Sequence, residues 1–393
     1  MMNNNLWLLP EGIEEVLPPD AERLESLRRR ILDRYKSWGY ELVMPPFIEY
    51  LESLLTGTGR ELDLKTFKLI DQVSGRTLGV RADMTPQIAR IEAHKLRRNV
   101  PSRLCYMGTV LNTRADDFSG SRSPLQIGLE MYGHSGVASE LEVISLMLET
   151  LSLAGIRDVH LDLGHVDVYR SLARQAGLNL EQEAELFDIL QRKAKAELDV
   201  FLTNQDIATE QATMLAALPE LNGGPEILSL ARERLAAGNA AVIAALGELE
   251  SVCKSLAELD SSVPVFCDLA ELRGYHYHTG MVFAAFQPGH GQEIARGGRY
   301  DEIGKVFGRA RPATGFSADL KTLLRLGDVT PQESQRVFAP LDVDTTLVSA
   351  IEKLRSEGAQ VVQQLPGQGD EAVEMGCTHR LVLSDKNWVV TEL

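Results

Sequence analysis

Residues 167–260 are rich in Ala, Leu, Glu and Gln and keep helical periodicity throughout, while strand-rich sequence lies on both sides of them. No other feature constrains the fold as strongly. The stretch reads as a helical insertion or subdomain, with the core made of the sequence on both sides of it. Mixed strands with segregated helices predict an α+β protein with an antiparallel sheet at its centre.

Ahead of the helical stretch, Pro18-Pro19-Asp20 stops the N-terminal segment, and Asp20 is the expected cap of a first helix. Leu24, Leu27, Ile31, Tyr35 and Trp38 then recur at spacings of three and four, which is one apolar stripe, and Gly39 ends it. YELVMPPFIEY is extended, because Pro45 and Pro46 forbid helix there. KLIDQ and RTLGVRAD flank Val73-Ser74-Gly75 and predict a hairpin. Helices are expected over 85–98 and 138–154, and strands over 103–111, 125–134 and 159–166. After the helical stretch, VPVFCDL and YHYHTGMVFAAF read as strands, and GFSADLKTLLRLG as a strand edge entering a helix. A linker near 328–334 precedes a segment of βαβ character. The expected domains are a core of 1–166 and 261–327, a helical insertion at 167–260, and a small α/β C-terminal domain at 335–393.

Charge narrows the partners. Forty Lys and Arg against 56 Asp and Glu give a net charge of −16, the wrong balance for a polyanion-binding chain. LRRR at 27–30 and HKLRR at 94–98 read as solvated helix faces. Cys105, Cys253, Cys267 and Cys377 share no metal-like spacing and are expected to be reduced. The sequence lacks an apolar run of about 18 residues and a signal-peptide pattern, so a cytoplasmic protein without membrane partners is expected. There is no GxxxxGK[ST] phosphate loop and no GxSxG elbow. His276 and His278 could chelate a metal from one strand face, but no carboxylate or Cys cluster accompanies them. They read as pocket or core histidines, and no metal or cofactor is expected.

Polar residues on inner strands give the stronger signal. Gln126 and Glu130, four apart on LQIGLE, project from one sheet face. Asp83 and Thr85 share a face with Arg81. Arg273 precedes Gly274 and the run Tyr275–His278, and Tyr300 follows Gly297-Gly298-Arg299. Carboxylates, an amide, an Arg and tyrosines converging on one sheet suit a zwitterionic ligand: the carboxylates hold an ammonium and the Arg a carboxylate.

These segments resemble the histidyl-tRNA synthetases, class II aminoacyl-tRNA synthetases, over about residues 8–325. ELVMPPFIEY resembles motif 1, VRADMT the Arg-Pro-Glu-Gly-Thr segment, and CYMGTVLNTRADDFSGSRSPLQIGLEMYGH motif 2 with its loop. LRGYHYHTGMVFAAF and ARGGRYDEI resemble the two histidine-specific segments, and TGFSADLKTLL resembles motif 3. The resemblance implies a histidine pocket of Asp83, Thr85, Gln126, Glu130, Arg273, Tyr277, His278 and Tyr300. Asp83 stands for the family's Glu, and His278 for its second Tyr.

The departures fall where ATP chemistry resides. Asn112 occupies the position of the motif 2 Arg that holds the α-phosphate, and Thr322 that of the motif 3 Arg. Losing one preorganised donor of this kind costs about 2.7–4 kcal/mol. The C-terminal segment is also shorter than a synthetase's anticodon-binding domain. This combination resembles a paralogue group, the regulatory subunits of ATP phosphoribosyltransferase. That resemblance implies no aminoacylation and no tRNA, and a hetero-oligomer with a short-form catalytic subunit. It also implies free L-histidine as feedback effector of the first step of histidine biosynthesis. Class II cores dimerise through motif 1, so a homodimer using residues near 40–55 is expected. An active histidyl-tRNA synthetase and an ATP-dependent amino-acid ligase are the alternatives.

Overall fold

The computed structural model describes residues 7–57, 60–115, 121–260, 262–272, 274–275, 277–329 and 335–393. Residues 330–334 of the expected linker lie outside them. The described chain divides into two compact units, Met1–Val329 and Thr330–Leu393.

In the first unit, α1 (Asp20–Ser37) buries Leu27, Ile31 and Tyr35 completely. Each aliphatic side chain so buried contributes roughly 1.5–3 kcal/mol. The Tyr35 hydroxyl meets Thr150 Oγ1 at 2.9 Å, which satisfies the polar end of a buried ring. Asp20 is not the cap. The helix begins at Asp20 itself, whose carboxylate pairs with Arg23 at 3.0 Å inside the first turn, where a negative charge suits the helix dipole.

After Gly39, at φ +83°, come β1 (Glu41–Leu42) and β2 (Ile48–Tyr50), then short helices α2 (Leu51–Leu55) and α3 (Arg60–Lys65). β3 (Lys68–Ile70) and β4 (Thr77–Val80) form the expected hairpin, and β4 also pairs with β2. Arg81, at the end of β4, donates to the carbonyls of Pro45 at 2.8 Å and Thr109 at 2.9 Å, tying the proline segment to the central sheet. The expected helix at 85–98 is α4 (Thr85–Arg90) followed by a π-helical turn over Ile91–Leu96, which ends at Arg97 in the left-handed region.

β5 (Ser102–Thr109) and β6 (Leu125–Tyr132) pair antiparallel, and α5 (Val137–Leu153) leads to β7 (His160–His165). The helical stretch then comprises α6 (Val166–Gln175), α7 (Leu180–Gln191), α8 (Lys195–Asn204), α9 (Thr209–Ala217), the two-residue strand β8 (Asn222–Gly223), α10 (Ile227–Arg234) and α11 (Ala240–Leu259). β9 (Val265–Asp268), β10 (Met281–Phe286), β11 (Glu293–Arg299) and β12 (Ala313–Asp319) follow, and α12 (Leu320–Leu326) closes the unit.

These strands form one sheet in the order β1-β5-β6-β12-β11-β10-β7-β9-β8. β5 to β7 of that order pair antiparallel, while β1–β5 and β7–β9 are parallel. One apolar cluster joins the sheet to α1, α5, α6 and α11. The other face of the sheet, over β5, β6 and β12, carries the polar residues described below.

The second unit is α/β. β13 (Arg336–Ala339), α13 (Thr345–Ser356), β14 (Gln360–Gln363), β15 (His379–Ser384) and β16 (Asn387–Glu392) make a sheet in the order β14-β13-β15-β16. Val337, Leu347, Ile351 and Leu381 are its buried centre. Among the described residues, no helix is long and apolar enough to cross a membrane.

Candidate functional site

Cross-strand register builds the site. Glu130 on β6 sits opposite Leu104 on β5 and Gly315 on β12, and Gly315 sits opposite Gly298 on β11. Directly paired residues share a face, so this row runs from a carboxylate onto bare backbone. The glycines are required here: a Cβ on Gly315 would overlap Glu130 Oε2, and one on Gly298 would come within 2.9 Å of the His278 ring. Two residues along, Tyr106 on β5 pairs with Gly128, and the vacant Cβ position leaves room for the Tyr106 hydroxyl.

Glu130 is 1% exposed. Tyr106 Oη donates to its Oε1 at 3.0 Å, and Tyr300 Oη donates to its Oε2. Thr85 Oγ1 lies 3.0 Å from the same Tyr106 hydroxyl. Burial pushes the Glu130 carboxyl up to about 8, with the two phenols opposing the shift, so near neutrality this acid holds its proton. At the more open end, Gln126 Nε2 donates to Asp83 Oδ1 at 2.7 Å, and Gln126 Oε1 accepts from the Met84 amide at 2.9 Å. The Thr85 amide donates to Asp83 Oδ1 at 3.0 Å, fixing the carboxylate at the entry to α4.

Tyr300 is brought in because β11 alternates: Gly298 and Tyr300 face the site, while Arg299 faces the opposite side. There Arg299 pairs with the buried Glu140 and donates to Ser139 Oγ at 2.9 Å. The Tyr277 ring packs on Tyr300 at 5.0 Å between centroids, and its hydroxyl is buried without a hydrogen-bond partner among the described residues. His278 Nδ1 lies 3.2 Å from the Arg299 carbonyl oxygen, and its ring stands edge-on to Tyr277 at 5.3 Å. Burial lowers its titration to about 4, so it is neutral near pH 7.

Seven of the eight expected residues therefore gather on one sheet face. The eighth, Arg273, and also His276, lie outside the described residues. One expectation needs correction. YHYHTGMVFAAF is strand only from Met281. Gly274, at φ +66°, accepts from the amides of Tyr277 and His278, both at 2.8 Å, so this stretch is a turn. Tyr106 was missed altogether. A tyrosine in an apolar strand reads as core, and only its pairing with Gly128, opposite the Glu130 strand, would have exposed it.

Asn112 is 5% exposed, its backbone N–H donating to the Arg122 carbonyl at 2.8 Å. Thr322 is 7% exposed, and its hydroxyl donates to Asp319 Oδ2 at 2.7 Å and accepts from Arg325 at 3.0 Å. Asp319 also caps α12 and holds the Leu125 amide at 2.9 Å. Lys321 turns to Glu14 at 3.6 Å, and Arg114 is exposed.

A polar face on a mainly antiparallel sheet, entered by a proline segment and a β5–β6 hairpin, defines a class II synthetase-like protein. The histidyl-tRNA synthetase family model matches residues 12–323. A histidyl-tRNA synthetase from Nostoc sp. PCC 7120 shares the fold, with a TM-score of 0.78 at 19% identity over 98% of this chain and 97% of that one. The second unit separates the chain from the synthetases: residues 334–391 match the ATP phosphoribosyltransferase subunit HisZ C-terminal domain. The ATP phosphoribosyltransferase regulatory subunit of Thioalkalivibrio sulfidiphilus (strain HL-EbGR7) is 59% identical over 395 residues, covering 100% of both chains. That of Methylococcus capsulatus is 57% identical over 98% of this chain and 95% of its own. A solved ATP phosphoribosyltransferase regulatory subunit/histidyl-tRNA synthetase from Bacillus halodurans matches with a TM-score of 0.84 at 26% identity, covering 95% and 97%. The chain belongs to the family of ATP phosphoribosyltransferase regulatory subunits.

Proposed function

We propose that this chain is a non-catalytic sensor that binds free L-histidine and confers feedback inhibition on a short-form ATP phosphoribosyltransferase catalytic subunit, in the first step of histidine biosynthesis. The observation that carries the reading is Glu130, buried between Tyr106 and Tyr300 beside bare glycine backbone, with Asp83 and Gln126 at the open end. A carboxylate braced by an amide suits an α-ammonium. A deep carboxyl group flanked by phenols suits an imidazole, which both donates and accepts hydrogen bonds. Tyr277, with its unpartnered hydroxyl, and His278 would close over the ring, and Arg273 would meet the α-carboxylate.

Adenylation has no matching support. Asn112 and Thr322 stand where the synthetases place their phosphate-binding arginines, and the Thr322 hydroxyl is already engaged by Asp319 and Arg325. The chain would act in the cytoplasm without tRNA, as a homodimer formed through residues near 40–55, on which the hetero-oligomer is built.

The test is calorimetric titration of the purified chain with L-histidine and, separately, with ATP·Mg²⁺. Histidine binding without ATP binding, lost in Glu130→Ala, and histidine inhibition of the complex with the catalytic chain are the expected results. Binding of both ligands with ATP–pyrophosphate exchange would identify an active synthetase or ligase instead.

A further inference from the structure

The turn carrying Tyr277 and His278 has a second side, facing the helical stretch. Tyr275 is 7% exposed. Its ring meets Tyr169 edge-on at 5.2 Å and Phe187 at 5.2 Å, and its hydroxyl donates to Glu183 on α7. Arg170, on α6, completes the grip. Its Nη2 donates to the carbonyls of Tyr275 at 3.0 Å and His278 at 3.1 Å, and its guanidinium lies 4.8 Å from the Tyr275 ring centroid. Nη1 pairs with Asp167 at 3.3 Å, which fixes the plane of the fork. The two accepting carbonyls lie on either side of Tyr277, the residue packed on Tyr300. One side of this turn touches the Glu130 network, and the other is held by α6 and α7.

We infer that Arg170 is a positioning residue that clamps the 274–278 turn, and that this clamp couples occupancy of the pocket to helices α6 and α7. The inference rests on the histidine-sensing reading above for its ligand, but the clamp itself can be tested without one. A ligand that inserts beside Tyr277, whose ring already packs on Tyr300, must move or stiffen a backbone whose carbonyls are bonded to α6 and whose Tyr275 ring is packed on α7. The differential contact required for transmission between two sites is thus built into one turn. Lys cannot replace Arg here, because an ammonium lacks the planar fork that spans two carbonyls while pairing with a carboxylate.

The experiment is amide hydrogen exchange on the full-length chain, with and without L-histidine, for wild type, Arg170→Ala, Arg170→Lys and Tyr275→Phe. Without histidine, Arg170→Ala should exchange amides of the 274–278 turn at least about tenfold faster, with amides of β5 and β6 unchanged, and Arg170→Lys should recover only part of that protection. With histidine, wild type should gain protection in both the turn and α7. Tyr275→Phe, which keeps the ring but loses the bond to Glu183, should gain it in the turn alone. Unchanged turn exchange in Arg170→Ala would overturn the clamp. Wild-type protection confined to the turn would overturn the coupling. A wild type that binds no histidine in calorimetry would instead remove the sensing reading, and the ligand-free exchange result would still decide the clamp. Should Arg170→Ala fail to fold, Arg170→Lys and Tyr275→Phe carry the same comparisons.

Discussion

Glu130 and His278 titrate in opposite senses, and both contribute to how stability follows pH. Burial raises Glu130 from 4.5 to about 8. Between those values the folded chain holds a proton that the unfolded chain has lost, so stability falls as pH rises, by at most about 1.4 kcal/mol per pH unit. Burial lowers His278 from 6.5 to about 4. Across that range the unfolded chain binds the extra proton, so stability rises with pH. The two slopes offset each other between about 4.5 and 6.5, and a net decline remains up to about 8. Glu130→Gln, which can still hydrogen-bond both phenols, should flatten that decline in urea denaturation run from pH 6.5 to 8; an unaltered slope would refute the protonated acid. Gln126 and Glu130 were legible in the sequence because strand alternation on β6 fixes the face each side chain takes, whereas Asp83 and Thr85 lie past the end of β4, at the entry to α4, and were legible through the family resemblance. The elevated titration of Glu130 was not, because it comes from burial, which elements distant in the chain provide, while the Tyr106 and Tyr300 hydroxyls oppose it.

Elements were legible where their signals are local. The stripe of α1 needed only spacings of three and four, and Leu27, Ile31 and Tyr35 are its buried residues. Ile31→Ala should cost about 2–5 kcal/mol, read from the denaturant midpoint at constant m-value. A loss under about 1 kcal/mol would mean that this face is not packed as described. The β3–β4 hairpin was legible from Val73-Ser74-Gly75, and Gly75 takes φ +71°. The β15–β16 hairpin was not read, because Asp385 and Lys386 turn it at φ +48° and +67°. Primed turns normally signal themselves through Asn-Gly or Asp-Gly, and here the second position carries a lysine. The 274–278 turn was misread as strand for the converse reason. Its alternating aromatic and polar residues imitate a pleat, while Gly274 folds it back on itself.

At the scale of the molecule, several of the exposed apolar residues lie in the segment expected to dimerise. Met44 is 77% exposed, and Phe47, Ile48 and Tyr50 are exposed with it. Such a patch marks an interaction surface. Met44→Asp combined with Ile48→Glu should convert a dimer to a monomer in sedimentation equilibrium; an unchanged mass would place the dimer contact elsewhere. The α+β class was legible because helices and strands segregate in the sequence, whereas strand order was not, since pairing is decided by residues far apart. Tyr300 donates to Glu130 across 170 positions of chain, with the helical stretch between them. At about 5–20 residues per second of synthesis, those positions take roughly 10–30 s to emerge. Each new copy therefore passes through a period in which Glu130 has been made but its roof has not. On the sensing reading proposed above, a chain still on the ribosome would lack a complete pocket until Tyr300 and Gly315 have been added.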